Sequence, residues 1–232
     1  MDLLWQGITQ AIHLIASGDP AVLQITWLSI KISGGATLVS LLAGVPAGVW
    51  LALTRFPGRG FVVALVNTGM GLPPVVVGLF VSIFLWRSGP LGFLELLYTP
   101  TAIVIAQFVI AAPIVTGLTI AAMQQLNPKL RLQLLGLGAS RWQILWLLMR
   151  EARLPMLAAV MAGFGGVISE VGASMMVGGN LLGQTRVLTT ATVLETGKGE
   201  FDVAIALSVI LLILVFGGTY LLTWIQQRGR AS

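Results

Sequence analysis

Cysteine is absent from these 232 residues, which excludes a disulfide scaffold, a thiol nucleophile, a zinc–thiolate site and an iron–sulfur cluster. Charge is also scarce. Only 9% of residues are Asp, Glu, Lys or Arg, against about 25% in soluble domains, too few to cover the surface of a soluble protein this long. Histidine occurs once, and His13 falls on the polar side of a short amphipathic stretch, where it reads as a solvated interfacial side chain rather than a catalytic base. Gly138-Ala139-Ser140 and Gly172-Ala173-Ser174 fail to complete the G-x-S-x-G turn of a serine hydrolase. Gly197-Lys198 lacks both the upstream glycine and the following hydroxyl of a phosphate-cradling loop. No catalytic residue, metal-ligand set or cofactor is therefore assigned to this chain, and any ATP hydrolysis linked to it belongs to another subunit. The net charge of +5 is scattered between apolar runs rather than gathered into a patch, which argues against nucleic acid.

What the chain has in abundance is apolar length: 56% of residues are hydrophobic and the mean hydropathy is +0.95. A bilayer core of ~30 Å needs about 20 apolar helical residues, and five runs meet this: Gln24 to Leu53, Phe61 to Trp86, Thr101 to Met123, Met156 to Gly178 and Val203 to Trp224. The fold class expected is an all-α polytopic membrane protein of five transmembrane helices. Before them, Leu4, Ile8, Ala11, Ile12 and Ile15 recur at helical spacing, which predicts an interfacial helix over residues 1–20, ended by Gly18, Asp19 and Pro20. Asp2 and the polar residues of this stretch argue against a cleaved signal peptide.

The polar gaps alternate in charge. With the N-terminus outside, the inner gaps hold Arg55, Arg59, Lys129, Arg131, Arg141, Arg150, Arg153, Arg228 and Arg230, against one acid, Glu151. The outer gaps hold Arg87, Arg186 and Lys198 against Asp2, Asp19, Glu95, Glu195, Glu200 and Asp202. The positive-inside rule then places the N-terminus outside and the C-terminus in the cytoplasm.

Two ionisable residues fall inside the spans, where a charge costs ~2.5–3.5 kcal/mol. Lys31 lies about 10 Å and Glu170 about 12 Å from the outer ends of their spans at 1.5 Å per residue. Similar depth suggests that they pair or share one polar cavity; snorkelling is the other reading for Lys31. Glycine and proline cluster at Gly44, Pro46 and Gly48, at Pro73-Pro74, and at Gly163, Gly165, Gly166 and Gly172. They signify either close helix packing or helices broken beside a pathway.

The inner gap from Asn127 to Pro155 has apolar residues at helical spacing, split by Gly136-Leu137-Gly138. Two short helices with an arginine-rich end suit docking on a partner; the alternative is an interfacial pair without one. This segment resembles the cytoplasmic coupling loop of the membrane subunits of ABC importers, the EAA-x-x-x-G-x9-I-x-L-P pattern, with Gly138 as its central glycine. Leu132, Gln133 and Leu134 stand in place of Glu-Ala-Ala, and Leu154-Pro155 arrives about one helical turn late. The resemblance to the oxyanion branch of these importers covers most of the chain. Trp27-Leu28-Ser29-Ile30-Lys31, Gly44-Val45-Pro46-Ala47-Gly48, Arg55-Phe56-Pro57-Gly58-Arg59 and Leu72-Pro73-Pro74-Val75 are similar to segments of molybdate-type permeases. Ser169-Glu170-Val171-Gly172-Ala173-Ser174, Val177-Gly178-Gly179-Asn180 and Gly183-Gln184-Thr185-Arg186 are more similar to tungstate permeases.

The resemblance implies a permease that carries tungstate by alternating access, with molybdate or sulfate as alternative substrates. Less favoured are an ATP-independent carrier, disfavoured by the absence of a detectable internal repeat, and a membrane scaffold. The implied partners are a second copy of the chain, two cytoplasmic ATPase subunits that bind ATP and Mg, an extracytoplasmic solute-binding protein and the lipid of a prokaryotic inner membrane. The expected coupling residues are Gly138, Ala139, Ser140, Arg141, Arg150, Glu151 and Arg153. The expected pathway or gate residues are Lys31, Pro73, Pro74, Ser169, Glu170, Gly172 and Ser174. Hydroxyls at Ser29, Ser33, Thr37, Ser169 and Ser174 are candidate donors to an oxyanion, whereas Glu170 would repel a dianion and is assigned to gating or an ion pair.

Overall fold

The computed structural model describes residues 2–231, with side chains from 5 to 228, and is helical with no strand among the described residues. The side chains of Asp2, Leu4 and Arg230 fall outside the described ones. Helix α1 (Asp2–Ser17) is followed by α2 (Pro20–Leu53), opened by Asp19, whose carboxylate accepts from the Ala21 and Val22 amides. This is N-cap chemistry with proline in the first turn. At 34 residues α2 is about 51 Å long, longer than a bilayer core. Its C-terminal end is held by Arg59, whose Nε donates to the Leu51 carbonyl at 2.7 Å, a cation on the negative end of the helix.

Phe61 to Trp86 is not one straight span. It is α3 (Arg59–Met70) and α4 (Pro74–Leu85), bent by 102°. Pro73 and Pro74 donate no amide to the preceding turn, and proline's ring excludes the helical carbonyl behind it. Helix α5 (Pro100–Gln124) is continuous despite Pro113. After α6 (Pro128–Gly136), α7 (Arg141–Glu151) and α8 (Arg153–Ile168) comes a second break, 57°, before α9 (Gly172–Gly178). Helices α10 (Leu188–Lys198) and α11 (Phe201–Ala231) complete the chain. Three helices, α2, α5 and α11, are each long and apolar enough to cross a membrane; the number reaches five if each bent pair is one span. The hydropathy runs imply five uninterrupted spans, and two of them are broken.

The centre is the α2–α5 pair, packed backbone to backbone. A Cβ on Gly48 would stand 2.7 Å from the Thr116 carbonyl oxygen, so only glycine permits this approach. For Gly44 and Gly48 the packing reading therefore holds. Helices α3, α4, α8 and α9 surround α5. Helix α1 packs along α11 through Gly7 and Ala11 and leaves Trp5, Ile8, Ile12 and Ile15 exposed. The large apolar residues thus face outward, while the small residues make a contact with α11 that the pattern of large residues does not signal.

Candidate functional site: two broken helices and a coupling loop

The break between α8 and α9 frees backbone groups at membrane depth, where each must find a partner inside the protein. Three side chains supply them. The Glu170 carboxylate, 9% exposed, accepts from the Ala173 amide at 3.0 Å and so caps α9. Thr189, in the first turn of α10, donates its hydroxyl to the Glu170 carbonyl at 3.0 Å. Gln107, on α5 and 2% exposed, donates Nε2 to the Val167 carbonyl at 3.0 Å and to Ser174 Oγ at 3.4 Å. One amide thus spans the break from the end of α8 to α9. Gln107 Oε1 is buried without a partner.

The other broken pair meets this one. A Cβ on Gly78 would lie 2.7 Å from the Ala173 Cα, and one on Gly172 would lie 2.7 Å from Val75. The start of α4, set by Pro73-Pro74, is therefore pressed against the start of α9. Of the expected gate residues, Pro74, Glu170, Gly172 and Ser174 come together here, beside Gln107. Pro73 is exposed at the turn, and Ser169 is exposed with its hydroxyl donating to the Gly165 carbonyl at 2.8 Å.

Lys31 is not part of this cluster. Its side chain is exposed and lies over the Trp27 ring, 5.2 Å from the centroid. The only ion pair among the described residues is Lys198–Glu195, so the expected pairing of Lys31 with Glu170 is not made. Glu170 satisfies its charge on the N-terminus of α9, positive by its free amides, and needs no lysine. The hydroxyl donors need correction as well. Ser29, Thr37 and Ser169 donate to carbonyls of their own helix. Ser29 Oγ also accepts from the Leu188 amide at 2.8 Å, which ties α10 to α2.

Gln107 and Thr189 escape a reading of the sequence alone. Gln107 is the one amide side chain in the apolar run from Thr101 to Met123, and that isolation is the available signal. Past the end of α9, Thr185 is fully buried and its Oγ1 bonds the Gly178 carbonyl and the Leu181 amide. The Arg186 guanidinium donates to the Asn180 carbonyl at 3.3 Å. The loop from Gly179 to Val187 is thus pinned from within, and the Tyr98 amide donates to the Val177 carbonyl at 2.8 Å, joining the end of α9 to the α4–α5 connection.

In the loop between α5 and α8, Gly138 has φ +76°, the left-handed conformation that glycine adopts without strain. It ends α6, and the Ala139 amide returns to the Leu134 carbonyl at 3.0 Å. Ser140 and Gln143 then open α7 with a capping box. Ile144 and Leu148 bury against Val49 and Met123, and Leu130 and Leu134 pack on the same cluster. Leu137 and Trp142 project outward, 82% and 81% exposed. Arg150 lies over the Trp146 ring, 5.3 Å from the centroid. Arg141, Glu151 and Arg153 are exposed with no ion pair among the described residues.

Apolar helices around two broken ones, with a separate helix pair held by an apolar seam, are the architecture of a membrane-embedded protein. The fold is that of solved ABC transporter subunits: the MetNI methionine ABC transporter in inward-facing form matches with a TM-score of 0.70 over 90% of this chain and 94% of that one, at 22% identity. A bacterial ABC transporter for the acidic polysaccharide alginate matches with a TM-score of 0.73 over 89% of this chain and 79% of that one, at 17% identity. Residues 44–230 match the family of inner membrane components of binding-protein-dependent transport systems, and the chain belongs to that family. It is 37% identical over 93% of its length to the tungstate uptake system permease protein TupB of Peptoclostridium acidaminophilum, covering 95% of that protein. It is 39% identical over 84% of its length to a probable anion ABC transporter permease protein of Haloferax volcanii, covering 87% of that protein. With the molybdenum transport system permease ModB of Escherichia coli the identity is 28% over 89% of this chain and 94% of that one.

Proposed function

We propose that this chain is the permease subunit of an ATP-driven tungstate importer, working as a homodimer with two ATPase subunits inside and a solute-binding protein outside. The observation that carries this reading is the similarity to a tungstate permease along 93% of the chain, including the segment that builds the two helix breaks. The N-terminus lies outside and the C-terminus in the cytoplasm, as the arginine bias of the inner gaps requires.

A dianion crosses hydrocarbon only inside protein, and a pathway that opens to one side at a time needs elements with two arrangements. The α4 and α9 starts are such elements. They hinge at Pro73-Pro74 and at Ser169–Val171, their contact is backbone-close, and their polar groups are satisfied by Glu170, Gln107, Ser174 and Thr189. Glu170 acts by holding the closed arrangement through the α9 cap, not by touching the oxyanion, whose charge it repels. Lys31, exposed and unpaired, is available to the oxyanion at the outer end.

Inside, the α6–α7 pair takes the ATPase stroke. Gly138 sets its turn, Ala139 and Ser140 its exit, and Leu137 and Trp142 offer the docking surface, flanked by Arg141, Arg150, Glu151 and Arg153. ATP and Mg bind on the ATPase; this chain supplies pathway and coupling and performs no hydrolysis. The test is ATP hydrolysis by the assembled complex in lipid vesicles with tungstate, molybdate or sulfate on the binding protein. Stimulation by tungstate at the lowest concentration supports the reading. Equal stimulation by molybdate redirects it to a general oxyanion permease.

A further inference from the structure

A cavity of about 700 Å³ lies between the inner end of α2 and the α6–α7 pair, within the ~300–1,000 Å³ range of small-molecule sites. One wall is membrane helix: Val45, Val49 and Leu53. The facing wall is α7, with Ile144, Leu145 and Leu148. Arg131 of α6 and Arg141 of α7 also line it, joined by Trp50 and Thr54 near the end of α2. Neither arginine has a carboxylate within 4 Å among the described residues, where Lys198–Glu195 is the one ion pair. Trp50 stacks on Phe56 with ring centroids 5.1 Å apart, as aromatic residues do at the level of lipid headgroups.

An apolar slot beside α2 whose lining also carries two arginines without an ion-pair partner among the described residues suits an amphiphile with an anionic head. We propose that the cavity binds an anionic phospholipid of the inner leaflet, phosphate against Arg131 and Arg141, acyl chain between α2 and α7. A water-soluble anion would leave the apolar walls unfilled, and a neutral lipid would leave the arginines unpaired. The ATPase docking surface proposed above is centred on Leu137 and Trp142, neither of which lines the cavity, and shares with it only the flanking Arg141. A lipid here wedges the coupling helices against α2 and sets how firmly the ATPase stroke reaches the spans.

This inference rests on the inward placement of α6 and α7 proposed above. Because the chain has no cysteine, a single cysteine introduced as Gln133→Cys and labelled from either side of the membrane tests that placement on its own. The lipid is tested by native mass spectrometry of the delipidated permease–ATPase complex titrated with phosphatidylglycerol or phosphatidylcholine. The expected result is preferential retention of phosphatidylglycerol, weakened about fivefold by Arg131→Gln and about thirtyfold by Arg131→Gln with Arg141→Gln, the equivalent of ~1 kcal/mol for each charge. The paired lysine substitutions, which keep both charges, should retain the preference. Equal retention of the two lipids by the wild-type complex overturns the proposal. So does undiminished phosphatidylglycerol binding by the double glutamine variant, or loss of the ATPase from that variant without loss of lipid, which would assign the arginines to the ATPase. If the double variant fails to fold, the wild-type complex still decides: the preference should shrink as salt rises, and a salt-independent preference counts against a site held by charge.

Discussion

At the scale of single residues, this protein satisfies helix ends that fall within apolar runs. Glu170→Ala removes the α9 cap and leaves the Ala173 amide without a partner, a loss of about 1–3 kcal/mol. Glu170→Gln keeps an acceptor and should lose less; thermal unfolding in detergent separates the two. Gln107→Leu is nearly isosteric but deprives the Val167 carbonyl of its donor, with a similar expected cost. Lys31→Met and Glu170→Gln should combine additively in stability, within about 0.5 kcal/mol, because no ion pair joins them. A coupling above ~1 kcal/mol would restore the pair. Glu170 is legible in the sequence, since a carboxylate in an apolar run must be satisfied, yet its partner is not. The nearest cation at matching depth is visible there, whereas the positive end of a helix begun two residues later is hidden, because nothing in the periodicity marks a new helix start.

At the scale of elements, the apolar runs locate the three long helices and the two bent pairs, and the helical spacing between Asn127 and Pro155 locates α6 and α7. What hydropathy averages away is direction: a window across Phe61 to Trp86 or Met156 to Gly178 stays apolar while the axis turns by 102° or 57°. The prolines hint at the first break. Glycine is an ambiguous sign because close packing and a broken helix call for the same residue. The structure separates them: Gly44 and Gly48 serve packing, Gly172 lies at a break and against Val75 at once, and a methyl group added at Gly34 would have nothing within 4 Å. Gly48→Val, forced onto the Thr116 carbonyl, should cost at least the ~1–3 kcal/mol of an overpacked core, whereas Gly34→Ala should be neutral or stabilising. Yield of folded chain and its melting temperature check both. Gly138→Ala should destabilise α6 and α7 by about 1–2 kcal/mol, the cost of a left-handed backbone for a residue with a Cβ, and reduce ATPase co-purification.

At the scale of the whole molecule, the coupling pair and the gate are linked through α5 and α8. The coupling pair continues through Ala152, buried in the same cluster as Val49 and Met123, into α8, whose far end is the break that Gln107 spans. In the proposed mechanism a push on α7 is delivered along one helix to the Glu170 cap, so that ATP hydrolysis on a partner would reach a gate in the membrane. The measurement that tests this most directly is tungstate uptake into vesicles containing the permease, with and without its ATPase and internal ATP, the binding protein supplied outside. ATP-driven gating predicts uptake only when all are present, and loss of uptake in the Glu170→Ala variant with ATPase still bound. Uptake by the permease alone would contradict it and make the chain a carrier that needs no ATP.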